Sequence, residues 1–181
     1  MRLRPARQED AGAIADIVAA ARAAMTYRPR LHTDAETRAW IREMILVGYE
    51  VSVAGDDGPA LAFAAPEGDS LEHLDVHPGA QGRGLGTLLL TDAKARRPAG
   101  LRLWVFQRNE RARRFSERHG FVCVRLTAGE ENEEHEPDAL SAWPASAATR
   151  GELQLERGEA ELVGPRQAGD RDRQVLDRES G

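Results

Sequence analysis

Apolar positions along the chain alternate between helical and strand periods. Ile14, Ile17, Val18, Ala21 and Met25 recur at helical spacing and predict an amphipathic helix over about residues 9–25. Thr33-Asp34-Ala35-Glu36 has the form of a capping box, and Trp40, Ile41, Met44 and Ile45 carry it on as a second helix. Leu3 begins a short strand ahead of both. Val51 and Val53 alternate with small or polar neighbours, Asp56-Asp57-Gly58-Pro59 reads as a turn, and Leu61 and Phe63 alternate again, which predicts a hairpin over 50–65. A strand follows at 71–76, then a helix over 84–96 carrying Leu85, Leu88, Leu89 and Ala93, then a strand at 101–106. Asn109 caps a helix reaching about His119, Gly120 ends it, and 121–126 is a further strand. The order of elements predicts a mixed α/β layer.

A chain of 181 residues with 41% hydrophobic content buries one sizeable core and leaves some excess. That excess falls after Trp143. Residues 144–181 hold no aromatic residue and many charges of both signs, so a disordered or loosely helical tail is expected there, behind a domain at 1–143. No apolar run has the length of a membrane span, and MRLRPARQED opens on charge, so a soluble, cytoplasmic protein is expected. Cys123 is the single cysteine, which excludes an internal disulfide and a cysteine-based metal site. A net charge of −5 argues against broad nucleic-acid binding.

The stretch with chemistry in it is His77-Pro78-Gly79-Ala80-Gln81-Gly82-Arg83-Gly84-Leu85-Gly86, at a strand-to-helix junction. Exposed N–H groups at a helix start suit an anion, glycines let backbone approach an oxygen cluster, and Arg83 adds charge. A phosphate or pyrophosphate is the natural ligand. The glycines miss the dinucleotide GxGxxG spacing, and no Gly-Lys-Ser/Thr follows for a P-loop.

Gln81-Gly82-Arg83-Gly84-Leu85-Gly86 does match the Q/R-x-x-G-x-G/A loop of the GCN5-related N-acetyltransferase (GNAT) superfamily, which this chain resembles. LWVFQRNERARRFSERHGF, residues 103–121, is a second match, with Asn109, Ala112, Phe115, Gly120 and Phe121 in the expected places. The resemblance covers about residues 1–143. It implies a mostly antiparallel sheet splayed between the strands at 71–76 and 101–106, flanked by helices. It also implies acetyl-CoA as co-substrate, no metal, and direct acetyl transfer to an amine. Leu74 and Val76 would pair with the pantetheine arm, Gln81, Gly82, Arg83, Gly84, Leu85 and Gly86 would hold the pyrophosphate, and Asn109 would reach the arm. Glu72 is the expected base, two residues before Leu74 and of the same strand parity; His73, Asp75 and His77 are read as surface or structural residues.

The chain departs from the family at Ser116, where a tyrosine is expected. A tyrosine hydroxyl, of pKa about 10, can protonate a departing thiolate, whereas a serine can only orient a water. General acid catalysis is worth roughly 10² to 10⁴ in rate, so activity with Ser116 is expected to be reduced and not abolished. The alternative is an acyl-CoA-binding protein with weak or lost catalysis. Tyr27, Arg30 and His32, between the first two helices, are expected to line the acceptor pocket. The expected partners are acetyl-CoA and an amine, with neither nucleic acid nor membrane, in a monomer or homodimer.

Overall fold

The computed structural model describes residues 1–46 and 50–144, which fall into two compact units, Met1–Leu103 and the chain from Trp104 onward. In the first unit the elements are β1 (Arg2–Pro5), α1 (Ala11–Ala23), α2 (Asp34–Leu46), β2 (Ser52–Gly55), β3 (Ala62–Glu67), β4 (Ser70–Val76), α3 (Leu85–Arg96) and the start of β5 (Gly100–Phe106). Strands β1 to β4 are antiparallel neighbours in chain order. β5 joins β4 in parallel at Ser70 and Arg102, with the Arg102 N–H on the Asp69 carbonyl at 2.8 Å.

Strand alternation gives this sheet two different faces. Val53 stands opposite Phe63, and Phe63 opposite Asp75. Val51, Val53, Phe63 and Ala65 form one buried cluster with Ile14, Ile17 and Val18 of α1 and Ile41 of α2. The other face is made of small residues, Ser52, Ala54, Ala62 and Ala64, with Leu74 and Val76 in register beside them. Side chains this short let α3 lie close on the sheet, where Leu85, Leu89, Leu90 and Ala93 are buried. Each leucine buried in this way contributes about 1.5–3 kcal/mol.

Local chemistry sets the helix starts. In α2 the expected capping box is complete: the Glu36 N–H donates to Thr33 Oγ1 at 3.2 Å, and the Thr33 N–H donates to Glu36 Oε2 at 2.7 Å. α1 begins later than its periodicity suggests, because a 3-10 turn at Gln8–Asp10 precedes it. Asp10 is only 6% exposed, and its carboxylate accepts both guanidinium nitrogens of Arg4 (2.7 and 2.8 Å) and the Arg7 N–H (2.7 Å). This staple ties β1 to the start of α1.

β4 departs from simple alternation. His73 pairs with Ala65, but the next pair is Leu71 with Pro66, so Glu72 is an extra residue in a β-bulge. Leu71 therefore shares the α3 face with Leu74.

The second unit holds the end of β5, α4 (Glu110–Arg118), β6 (Val122–Leu126) and β7 (Asp138–Pro144). β7 lies between β5 and β6, and pairs antiparallel with β6. The helix at 109–119 and the strand at 121–126 match expectation; β7 is an element the hydrophobic pattern misses. Gly120, at φ 81°, ends α4, after which the Phe121 N–H returns to the Ser116 carbonyl at 3.1 Å. The molecule is thus a mixed α/β protein with mostly antiparallel strands flanked by helices, as the sequence predicts. Apart from Pro144, the tail expected at 144–181 lies outside the described residues. Among those residues no helix is long and apolar enough to cross a membrane.

The Asp10 carboxyl is held below the usual carboxylate range, chiefly by the Arg4 hydrogen bonds. A depressed pKa contributes stability that is present above the unfolded value of about 3.9 and lost as pH falls through the folded one. Asp10→Asn is expected to destabilise the protein at pH 7 by about 1–2 kcal/mol, because Arg4 is partly in solvent. Urea denaturation at pH 7 and pH 3 should show a smaller pH dependence in the variant; equal dependence would deny the staple its role.

Candidate active site

The loop after β4 is built around two backbone positions that only glycine adopts easily. Pro78–Ala80 makes a 3-10 turn, closed by the Ala80 N–H on the His77 carbonyl at 2.8 Å. Gly82 and Gly84 then take φ values of 79° and 84°, and Gly84 is the N-cap of α3. The helix ladder starts at once, with the Leu88 N–H on the Gly84 carbonyl at 3.0 Å. In consequence the N–H groups of Gly82, Arg83, Gly84, Leu85 and Gly86 donate to no described residue. Five consecutive unsatisfied donors at the positive end of a helix form a cradle for an anion.

Side chains hold the loop against the sheet. Leu85 is 1% exposed and Ala80 2%. The Gln81 amide donates to the Val76 carbonyl at 3.3 Å, and the His77 N–H donates to Leu61 at 2.9 Å. Arg83 reaches to the β2–β3 turn, where its guanidinium pairs with Asp56 and holds that carboxyl below its usual range. Its charge stands at the edge of the cradle, already engaged.

Leu74 and Val76 lie half-buried on the α3 face of β4, opposite Ala64 and Ala62. Glu72 is exposed at the bulge, and its side chain makes no hydrogen bond or ion pair with a described residue. The strict parity expected between Glu72 and Leu74 is broken by that bulge, so alternation does not set the direction of the carboxylate. On the opposite face, His73 packs against Phe63 and Trp40 and stands beside Asp75.

The remaining candidates scatter. In the second unit Asn109 Oδ1 accepts the Ala112 N–H at 3.1 Å, so the side chain caps α4 as expected. Ser116 is 2% exposed and its hydroxyl donates to the Arg113 carbonyl at 2.9 Å. In the first unit Tyr27 and His32 are half-buried between α1 and α2, while Arg30 is exposed and pairs with Asp34 at 2.7 Å. Sequence reasoning treats Trp40 as helix core and sets His73 aside; only the packing of α2 on β4 brings them together.

Residues 47–123 match the family model described as acetyltransferase (GNAT) domain. That segment of the chain is similar to a GNAT domain. Solved structures agree in fold. A GCN5-related N-acetyltransferase from Rhodopseudomonas palustris is 24% identical, with a TM-score of 0.65 over 79% of this chain and 94% of its own. The yncA protein of Salmonella typhimurium, solved with its cofactor acetyl-CoA, is 22% identical, with a TM-score of 0.61 over 81% of this chain and 94% of its own. An N-acetyltransferase from Staphylococcus aureus is 21% identical, with a TM-score of 0.61 over 80% and 98%. No curated protein matches the chain. The N–H groups at 82–86 lie inside the matched segment.

The loop's glycines make a prediction independent of any ligand. A Cβ at Gly84 would meet nothing closer than Met1 Cε at 3.9 Å, so Gly84→Ala is destabilising through φ alone, by about 1–2 kcal/mol. Gly12→Ala, in open space within α1, should instead stabilise by about 0.5–1 kcal/mol. Denaturation midpoints of the two variants should move in opposite directions; a neutral Gly84→Ala would remove the left-handed cap.

Proposed function

We propose that the protein is an N-acetyltransferase that passes an acetyl group from acetyl-CoA directly to a primary amine of a small molecule or peptide. The observation that carries this reading is the row of unsatisfied N–H groups from Gly82 to Gly86, within the matched GNAT domain. They suit a pyrophosphate, which brings oxygens and charge together at that spacing. Gln81 to Gly86 would hold the diphosphate, and the backbone of β4 at Leu74 and Val76 would take the pantetheine arm as a strand takes a neighbour. Arg83 would exchange Asp56 for a phosphate oxygen. Bound there, the co-substrate supplies an activated acyl carbon and a thiolate leaving group.

The chain's own residues must remove a proton from the acceptor's ammonium group, since only a free amine is a nucleophile. The resemblance gives this role to Glu72. Ser116 has little to give the departing thiolate, because its hydroxyl is buried and already donates to Arg113. That observation favours weakened acid catalysis and supports the second reading, an acyl-CoA-binding protein with slow chemistry. Tyr27, Arg30 and His32 remain the proposed acceptor contacts; Arg30, exposed on the same segment, would suit an acceptor bearing an anionic group.

The test is thiol release from acetyl-CoA across a panel of primary amines and amino-terminal peptides. The enzyme reading expects amine-dependent release with at least one acceptor, and an acetylated amine as product. Ser116→Ala is expected to change turnover by less than about threefold, whereas removal of a true general acid costs about 10²-fold or more. Tight binding of acetyl-CoA without amine-dependent release would establish the binding-protein reading instead.

A further inference from the structure

Two titratable side chains adjoin on β4, and only one of them is held in place. Glu72 sits exposed at the bulge with no described side-chain partner. A carboxylate so placed samples many rotamers, and fixing one of them for proton transfer costs entropy. His73 is different. Its ring lies over Phe63, centroids 5.9 Å apart and planes 24° from parallel, and meets Trp40 of α2 edge-on at 5.0 Å and 63°. Contacts from two elements fix the plane of the imidazole.

Nδ1 lies 3.7 Å from Oδ2 of the Asp75 carboxylate, an ion-pair distance. Both residues stand on the α1/α2 face of the sheet, opposite Ala65 and Phe63. A carboxylate beside Nδ1 favours the tautomer with the proton on that nitrogen and leaves the lone pair on Nε2. The two side chains keep 24% and 27% of their exposure, so the pair is only partly withdrawn from solvent.

We propose that His73, oriented by Asp75, takes the proton of the acceptor's ammonium group, the role the resemblance gives to Glu72. This rests on the acyl-transfer reading. Nε2 accepts one ammonium proton, and the freed nitrogen lone pair forms the C–N bond to the acetyl carbonyl carbon. The C–S bond breaks with its electron pair on sulfur. The nitrogen's second surplus proton goes to the thiolate, giving the free thiol, and the imidazolium returns its proton to solvent. His73 is the catalytic residue in this account and Asp75 a positioning residue. Trp40 and Phe63 hold the ring.

Thiol release with the primary-amine panel at saturating acetyl-CoA provides the first arm. His73→Ala should lower kcat by about 10²-fold or more and leave acetyl-CoA affinity unchanged, and added imidazole should restore part of the rate. Asp75→Asn should lower kcat with KM for the amine unchanged. A large loss in Glu72→Gln with His73→Ala active would overturn the assignment. The second arm needs no acceptor: nitrogen-15 NMR of the His73 ring should show the Nδ1-protonated tautomer, shifting toward a mixture in Asp75→Asn. A ring protonated on Nε2 would overturn the proposal even if every amine were acetylated. Bound acetyl-CoA with no amine accepted and the expected tautomer present would refute the transfer reading while upholding the oriented pair.

Discussion

Five backbone N–H groups in front of α3, from Gly82 to Gly86, find no acceptor among the described residues, and the elements on either side of them hold them at the surface. Exposed donors are tolerable only at the surface, so the loop stays solvated while its ends are anchored in the core. Leu85, Leu89 and Leu90 supply the anchor on one side, lying on a sheet face kept small by Ala54, Ala62 and Ala64. Gly82 and Gly84 supply the left-handed turns between anchor and strand. The Arg83–Asp56 pair lies at the border of the cradle, where a positive charge next to a helix start has a carboxylate to offset it.

β4 divides the work between its two faces. Toward α3 it presents Leu71, Leu74 and Val76, which continue the apolar floor beside the cradle. Toward α1 and α2 it presents His73 and Asp75, where the cluster of Phe63, Ile14 and Ile41 gives way to half-exposed aromatic and charged groups. The bulge at Glu72 is what lets one strand serve both purposes, since it shifts Leu71 onto the α3 face without moving His73 off the other.

Much of this is legible in the residues. The capping box at Thr33 and Glu36, the cap at Asn109, the stop at Gly120 and the glycines at 82 and 84 are local signals, and each determines a local conformation. What the chain hides depends on partners. β7 reads DALSAWP, short, without a β-branched residue and bounded by prolines, and it becomes a strand only through pairing with β6. The bulge did leave a trace, because Leu71, Leu74 and Val76 are spaced three and then two apart, which no continuous strand with one apolar face allows. Trp40 against His73 leaves no trace, since their residues are far apart in the chain and meet only when α2 packs on the sheet. Ser116 was visible as an exception, but its buried donation to Arg113 was not.

The central claim is that the cradle binds the diphosphate of acetyl-CoA, and calorimetric titration tests it most directly, with acetyl-CoA compared against acetylated pantetheine, which lacks the diphosphate. Saturable binding of acetyl-CoA, with the pantetheine at least about tenfold weaker through the loss of charge-assisted hydrogen bonds, is the result this account predicts. Equal affinities for the two ligands, or no binding of acetyl-CoA at millimolar concentration, would contradict it.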